Sequence, residues 1–116
     1  MKFASLMAKH ASGDATCMPA AETVDIATRG GADGMGWTDT GRLEAGALAD
    51  IVLLDLTEPT LSPMHDPASH AVYAANGGCV HTTICDGRVL MEDGEIEGYE
   101  EVRARAIEAA RRVTGG

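Results

Sequence analysis

The segment "VHTTICDGRVLMEDGEI", residues 80 to 96, constrains the fold more than any other stretch of the chain. Two β-rich runs, Val80 to Cys85 and Arg88 to Met91, flank Asp86 and Gly87. Asp-Gly between such runs predicts a two-residue type I′ hairpin, because both central residues of that turn need positive φ and its twist matches that of the strands it joins. A second Asp-Gly, Asp93 and Gly94, closes the outgoing strand. The four acidic residues around it, Glu92, Asp93, Glu95 and Glu97, read as a solvated loop.

One further strand is predicted upstream. In "ADIVLLDL", Ile51, Val52, Leu53 and Leu54 form an unbroken apolar run, the pattern of a strand covered on both faces. Three strands make a thin sheet, so Ile51 to Leu54 are expected to be a central strand whose other neighbours come from elsewhere. Pro59, Pro63 and Pro67 confine residues 57 to 67 to an irregular loop. Asp66 is placed to cap a short helix with Pro67 in its first position, running through "ASHAVYAA" to "NGG".

The remaining segments are helical. Phe3, Leu6, Met7 and His10 recur at helical spacing and predict a short amphipathic helix over residues 2 to 11, with His10 half-buried in packing. That helix opens without a capping side chain, as though cut from a longer chain. After the loop "SGDATCMP", Pro19 suits the first turn of a second helix with Ala20, Val24 and Ala27 on its buried face. Paired glycines at Gly30 and Gly31 are expected to stop it, with a short third helix from Ala32 to Met35. "RGGADGMG" matches neither G-x-G-x-x-G nor the P-loop pattern, and no strand precedes it. The last helix, about Tyr99 to Val113, is expected to bury Val102, Ala106, Ile107, Ala110 and Val113. Glu101 with Arg105 and Glu108 with Arg112 are spaced as i,i+4 ion pairs on it.

Composition narrows the function. A chain of 116 residues is one domain long, and with one Trp, two Tyr and one Phe its core must be built from Ala, Val, Leu, Ile and Met. Nine Lys and Arg against eighteen Asp and Glu give a net charge of -9 with no basic cluster, which argues against nucleic acid as a partner. Cys17, Cys79 and Cys85 are odd in number and widely spaced, as in a reduced, cytoplasmic protein. No window approaches the roughly 20 apolar residues of a membrane span, and the N-terminus lacks a signal-peptide core.

Catalytic patterns are missing from the sequence itself. His10, His65, His70 and His81 form neither H-x-H nor H-E-x-x-H, and Pro67 separates His65 from His70, so structural or surface roles are expected for all four. Cys79 and His81 are close as alternate residues of one strand, but no glycine elbow or helix N-terminus is placed to activate the thiol. No residue is assigned to catalysis or to metal binding.

In their order, "GRLEAGALADIVLLDL", "HDPASHAVYAANGG" and "VHTTICDGRVLMEDGEI" resemble the C-terminal end of the amidohydrolase superfamily. The branch is that of the cytosine, guanine and methylthioadenosine or S-adenosylhomocysteine deaminases and the triazine chlorohydrolases. Gly46, Ala47, Leu48, Ala49 and Asp50 keep the family's Gly-Lys-x-Ala-Asp except for its Lys, and Ala45 stands where Pro is common. The resemblance implies an α+β arrangement in three parts. Residues 1–37 resemble the last helices of a (β/α)₈ barrel, 38–98 the C-terminal part of a small composite β-sandwich, and 99–116 a terminal helix.

In such enzymes one divalent metal, zinc or iron, activates the water that attacks a ring carbon and expels ammonia or chloride. Its ligands lie upstream of the position where Met1 aligns. The resemblance therefore implies a C-terminal portion of a metal-dependent hydrolase acting on C–N or C–Cl bonds of a nitrogen heterocycle, inactive by itself and binding no metal or other cofactor. Its expected partners are the missing N-terminal part of the enzyme or a second copy of the chain. The alternative is an independent small α+β module that self-associates or binds a partner through its open sheet.

Overall fold

A computed structural model describes residues 1–115. Helix α1 (Lys2–Ser12) is followed by α2 (Ala20–Asp25), a π-helical stretch Ile26–Gly30 and α3 (Gly31–Gly34). Strand β1 (Ile51–Leu54), a 3₁₀ turn Pro59–Leu61, α4 (Pro67–Ser69) with its π-helical continuation His70–Ala74, and a second 3₁₀ turn Gly77–Cys79 come next. The chain ends in β2 (Val80–Cys85), β3 (Arg88–Met91) and α5 (Tyr99–Thr114).

The hairpin has the predicted strand limits and the predicted turn. Asp86 and Gly87 have φ of 48° and 73°, and Asp93 and Gly94 repeat the arrangement at 50° and 76°. Glu92 and Glu95 pair across that second turn, each amide donating to the other's carbonyl oxygen at 3.1 and 2.8 Å. All strand pairs are antiparallel in the order β1-β2-β3, with Ile51 opposite Ile84 and Ile84 opposite Val89. β1 therefore lies at an edge, not at the centre. Its second edge is unpaired among the described residues, and Val52 and Leu53 remain 57% and 49% exposed.

The Asp66 cap forms as predicted, its carboxylate accepting from the Ser69 amide at 2.9 Å with Pro67 in the first helical position. The paired glycines, by contrast, stop nothing. Gly30 and Gly31 are both right-handed helical, at φ, ψ of -61°, -36° and -64°, -46°. The chain runs helically from Ala20 to Gly34 and turns only at Gly36, where φ is 74°. Glycine permits a left-handed turn without requiring one, and here the ladder continues with the wider hydrogen bonding of a π-helix.

The small core lies between α2, the helical stretch 67–74 and the turn Pro59–Leu61. Leu61, Val72 and Cys79 are its most deeply buried apolar side chains, joined by Ala20 and Ala32. On α2 the inner face is Ala20 and Thr23 with Val24 half-buried, whereas Ala27 is exposed. The Thr23 hydroxyl tolerates burial because it donates within its own helix to the Pro19 carbonyl oxygen at 3.0 Å.

Both terminal helices depart from expectation. On α1 the apolar stripe Phe3, Leu6 and Met7 faces outward, Phe3 being 81% exposed, and His10 is exposed as well. The buried residue is Ser5, on the side that meets Met18 and Tyr73. Helix α5 buries none of its side chains, including the five residues expected on an inner face. Neither i,i+4 pair closes, and the helix carries instead an i,i+3 pair, Arg103 to Glu100 at 3.2 Å. These stripes lack cover because the described chain offers no surface opposite them.

The dimensions agree with an open arrangement. The radius of gyration is 17.7 Å, against about 13–14 Å for a compact chain of this length. The accessible surface is 8520 Å², against about 6,000 Å² for a folded monomer of this mass.

Candidate functional site

Four polar clusters hold the chemistry-bearing side chains. Around α4, His65 and His70 lie with ring centroids 6.4 Å apart. Both nitrogens of His70 face backbone carbonyl oxygens, Nδ1 that of Asp66 at 2.9 Å and Nε2 that of Pro63 at 3.1 Å. With a carbonyl oxygen at hydrogen-bond distance from each nitrogen, the ring clamps the proline loop against the helix and neither nitrogen is open to a metal. The Asp66 carboxyl is held below the ordinary carboxylate range, first by its hydrogen bonds from Ser69 and less by the charge of nearby His70.

On the hairpin, His81 Nε2 lies 2.7 Å from Asp93 Oδ1 and Nδ1 lies 2.7 Å from the Thr82 hydroxyl. Two-residue turns bring these groups together: the Gly94 amide donates to the His81 carbonyl oxygen at 3.1 Å, so the second Asp-Gly folds back over β2. Asp93, expected in a solvated loop, is largely exposed yet paired. The Cys79 sulfur is buried in the core 3.4 Å from the Thr60 hydroxyl, in the turn before β2 rather than on the strand. Cys79 and His81 thus engage different partners, and the arrangement has no nucleophile and base in contact.

The third cluster centres on Asp50. Its Oδ2 accepts from the Thr40 hydroxyl at 2.6 Å and its Oδ1 from the Asp86 amide at 2.8 Å, stitching the approach loop to the hairpin turn. These hydrogen bonds hold its carboxyl below the ordinary range. The same carboxylate, as hydrogen-bond acceptor and as charge, pushes the neighbouring Cys85 thiol up, with burial and Asp86 adding to the effect and Arg88 opposing it. Sequence reading singled out Asp50 only as part of a family pattern. Its position directly before a strand was the available signal, but its partners are 10 and 36 residues away.

The fourth cluster joins the helices. Ser5 Oγ donates to the Met18 carbonyl oxygen at 2.9 Å and lies 2.7 Å from the Tyr73 hydroxyl, and Lys9 Nζ donates to the carbonyl oxygens of Cys17 and Met18. Nothing in the local sequence marked Ser5, since its value comes from contacts far along the chain. These clusters tie loops to helices and strands. Among the described residues, no three His, Cys, Asp or Glu side chains converge as metal ligands would, and the histidine geometry does not fit a zinc site.

Comparison with known proteins places this scaffold. The profile of the Amidohydrolase family matches residues 1–90. The chain is 47% identical over 113 residues to a 5'-deoxyadenosine deaminase of Methanoregula boonei, covering 97% of this chain and 25% of that protein. It is 43% identical over 111 residues to a 5-methylthioadenosine/S-adenosylhomocysteine deaminase of Halobacterium salinarum, covering 96% and 26%. Among solved structures, an adenosine deaminase of Xanthomonas campestris with bound zinc superposes with a TM-score of 0.92 at 30% identity, over 99% of this chain and 27% of that one. The atrazine chlorohydrolase of Arthrobacter aurescens, complexed with zinc, superposes with a TM-score of 0.79 at 27% identity, over 92% and 25%.

The chain belongs to the amidohydrolase family. It spans about a quarter of the length of the curated relatives it matches, and it is a fragment of that fold. Its helices and three-stranded antiparallel sheet form an α+β arrangement shared with these enzymes. No helix among the described residues is long and apolar enough to cross a membrane.

Proposed function

We propose that the chain is a C-terminal portion of a metal-dependent, cytoplasmic hydrolytic deaminase acting on an adenosine-type heterocycle, and that by itself it is structural and inactive. One observation carries this reading: a match to deaminases over 97% of the chain, covering a quarter of them, coincides with His70 and His81 already committed to structural hydrogen bonds. The deaminase names of the relatives favour loss of ammonia over loss of chloride. On this reading residues 1–37 supply the last barrel helices, 38–98 the C-terminal part of the small β-sandwich, and 99–116 a terminal helix.

When bound in the complete enzyme, a divalent metal would activate the attacking water. The residues present here do not fit that metal, and no catalytic step is assigned to them. Their role is to hold the sheet, the proline loop and the helical pair in register. The open β1 edge and the exposed apolar side chains also support a second reading, a self-associating module without activity.

Metal analysis beside an ammonia-release assay with 5'-deoxyadenosine and S-adenosylhomocysteine tests the proposal. The purified chain is expected to hold no stoichiometric zinc and to release no ammonia. Clear turnover would sink the proposal.

A further inference from the structure

Helix α5 is the least supported element of the molecule. It buries no side chain, and Tyr99, Val102 and Val113 are 53%, 63% and 88% exposed. Yet its sequence is not that of a helix surrounded by water. Val102, Ala106, Ala109 and Val113 follow one another at steps of four, three and four and so form one apolar stripe, bordered by Arg105, Glu108 and Arg112. A helix polar all round would have no such seam.

We propose that this stripe is a docking surface for the part of an amidohydrolase polypeptide that the chain does not match, and that the chain binds such a polypeptide in trans. The inference rests on the reading of the chain as a portion of a longer enzyme. Two observations favour this occupant over a second copy or a transient ligand. First, the superposition on the adenosine deaminase covers 99% of the chain with a TM-score of 0.92, so it includes α5 although no burial within the chain holds α5 in place. The remainder of that longer chain, outside the match, is the body available there to cover α5.

The second observation is area. The accessible surface exceeds that of a folded monomer of the same mass by about 2,500 Å². A standard interface takes only about 800 Å² from each partner; the excess here is shared among α1, the β1 edge and α5, as an extensive interface including α5 would leave it. The stripe's small Ala106 and Ala109 allow close approach of an apolar surface, and Arg105, Glu108 and Arg112 give that contact a charged rim.

The test uses the 5'-deoxyadenosine deaminase of Methanoregula boonei deleted of the quarter that matches this chain, co-expressed with the chain so that the deleted protein folds in its presence. A one-to-one complex by sedimentation is expected, with no complex for the intact deaminase, whose own quarter occupies the surface. Val102→Glu and Ala106→Glu should weaken the complex at least about tenfold, and Ala104→Glu on the opposite face should leave it unchanged, with circular dichroism confirming equal helicity. Recovery of ammonia release on co-expression gives a second readout. Absence of both complex and recovery, or equal effects of all three substitutions, overturns the proposal. So does a homodimer that Val102→Glu dissolves while the deleted deaminase goes unbound. Ammonia release by the chain alone would instead overturn the functional reading, and the two failures are distinguishable.

Discussion

The hydroxyl oxygens of Ser5 and Tyr73 lie 2.7 Å apart across a separation of 68 residues. Ser5 donates to the Met18 carbonyl oxygen, so the Tyr73 hydroxyl donates to Ser5. This chain of two hydrogen bonds links α1, the loop before α2 and the helical stretch 70–74. Ser5 is fully buried, so its own hydroxyl has no water to turn to if either bond is lost. Ser5→Ala is expected to destabilise the fold by about 1–2 kcal/mol and Tyr73→Phe by about 1 kcal/mol. Denaturant unfolding of the two single variants and the double variant checks this, and the double should cost less than the sum, because each single change already breaks the shared bond.

Two glycines with similar backbone angles should respond differently to alanine. Gly87, at φ 73°, has open space where a Cβ would sit, so Gly87→Ala meets only the left-handed backbone penalty, about 1–2 kcal/mol. Gly41, at φ 78°, would place a Cβ 2.9 Å from both the Ala32 Cβ and the Thr28 carbonyl oxygen. Gly41→Ala therefore adds a clash against helix backbone and is expected to cost about 3 kcal/mol or more. Thermal melts of the pair rank them.

Acid should loosen the loops in a defined direction. Asp14, Asp50, Asp55 and Asp66 all have carboxyls held below the ordinary 3.8, chiefly by hydrogen bonds from Thr16, Thr40, Thr57 and Ser69 respectively. A group whose folded value is depressed contributes stability that is complete above its unfolded value and is lost as pH falls through the folded one. Stability is thus expected to be level above this range and to decline below pH 3.8. Asp50→Asn and Asp66→Asn should each flatten that decline, which melting temperatures across an acid series would reveal.

Cys85 is exposed but should react slowly as a thiolate nucleophile, because the Asp50 carboxylate keeps its proton in place. Asp50→Asn removes that charge, and alkylation of Cys85 by iodoacetamide near pH 8 should become several-fold faster. Mass spectrometry of the modified peptide measures the rate directly. An unchanged rate would mean that Asp50 has no hold on the thiol.

The elements that sequence reading located well are those whose physics is local. The type I′ turn at Asp86 and Gly87 follows from two residues that tolerate positive φ, and the Asp66 cap followed by Pro67 satisfies its orphan amides within one turn. The order of three sequence blocks resembled the amidohydrolases, and the family comparison bears that resemblance out. Gly30 and Gly31 were misleading because glycine widens the choice of conformation and leaves the decision to the helix around it.

Amphipathic pattern determined that α1 and α5 carry apolar stripes, since the 3.6-residue periodicity is a property of the chain alone, and an unbroken apolar run marked β1. It could not say what those stripes meet. Only the tertiary structure decided that α1 buries Ser5 instead of Phe3, that β1 lies at an edge, and that α5 is left uncovered. Burial requires a second surface, and hydrogen bonds such as Ser5 to Tyr73 or Asp50 to Asp86 join residues that become neighbours only when distant segments pack.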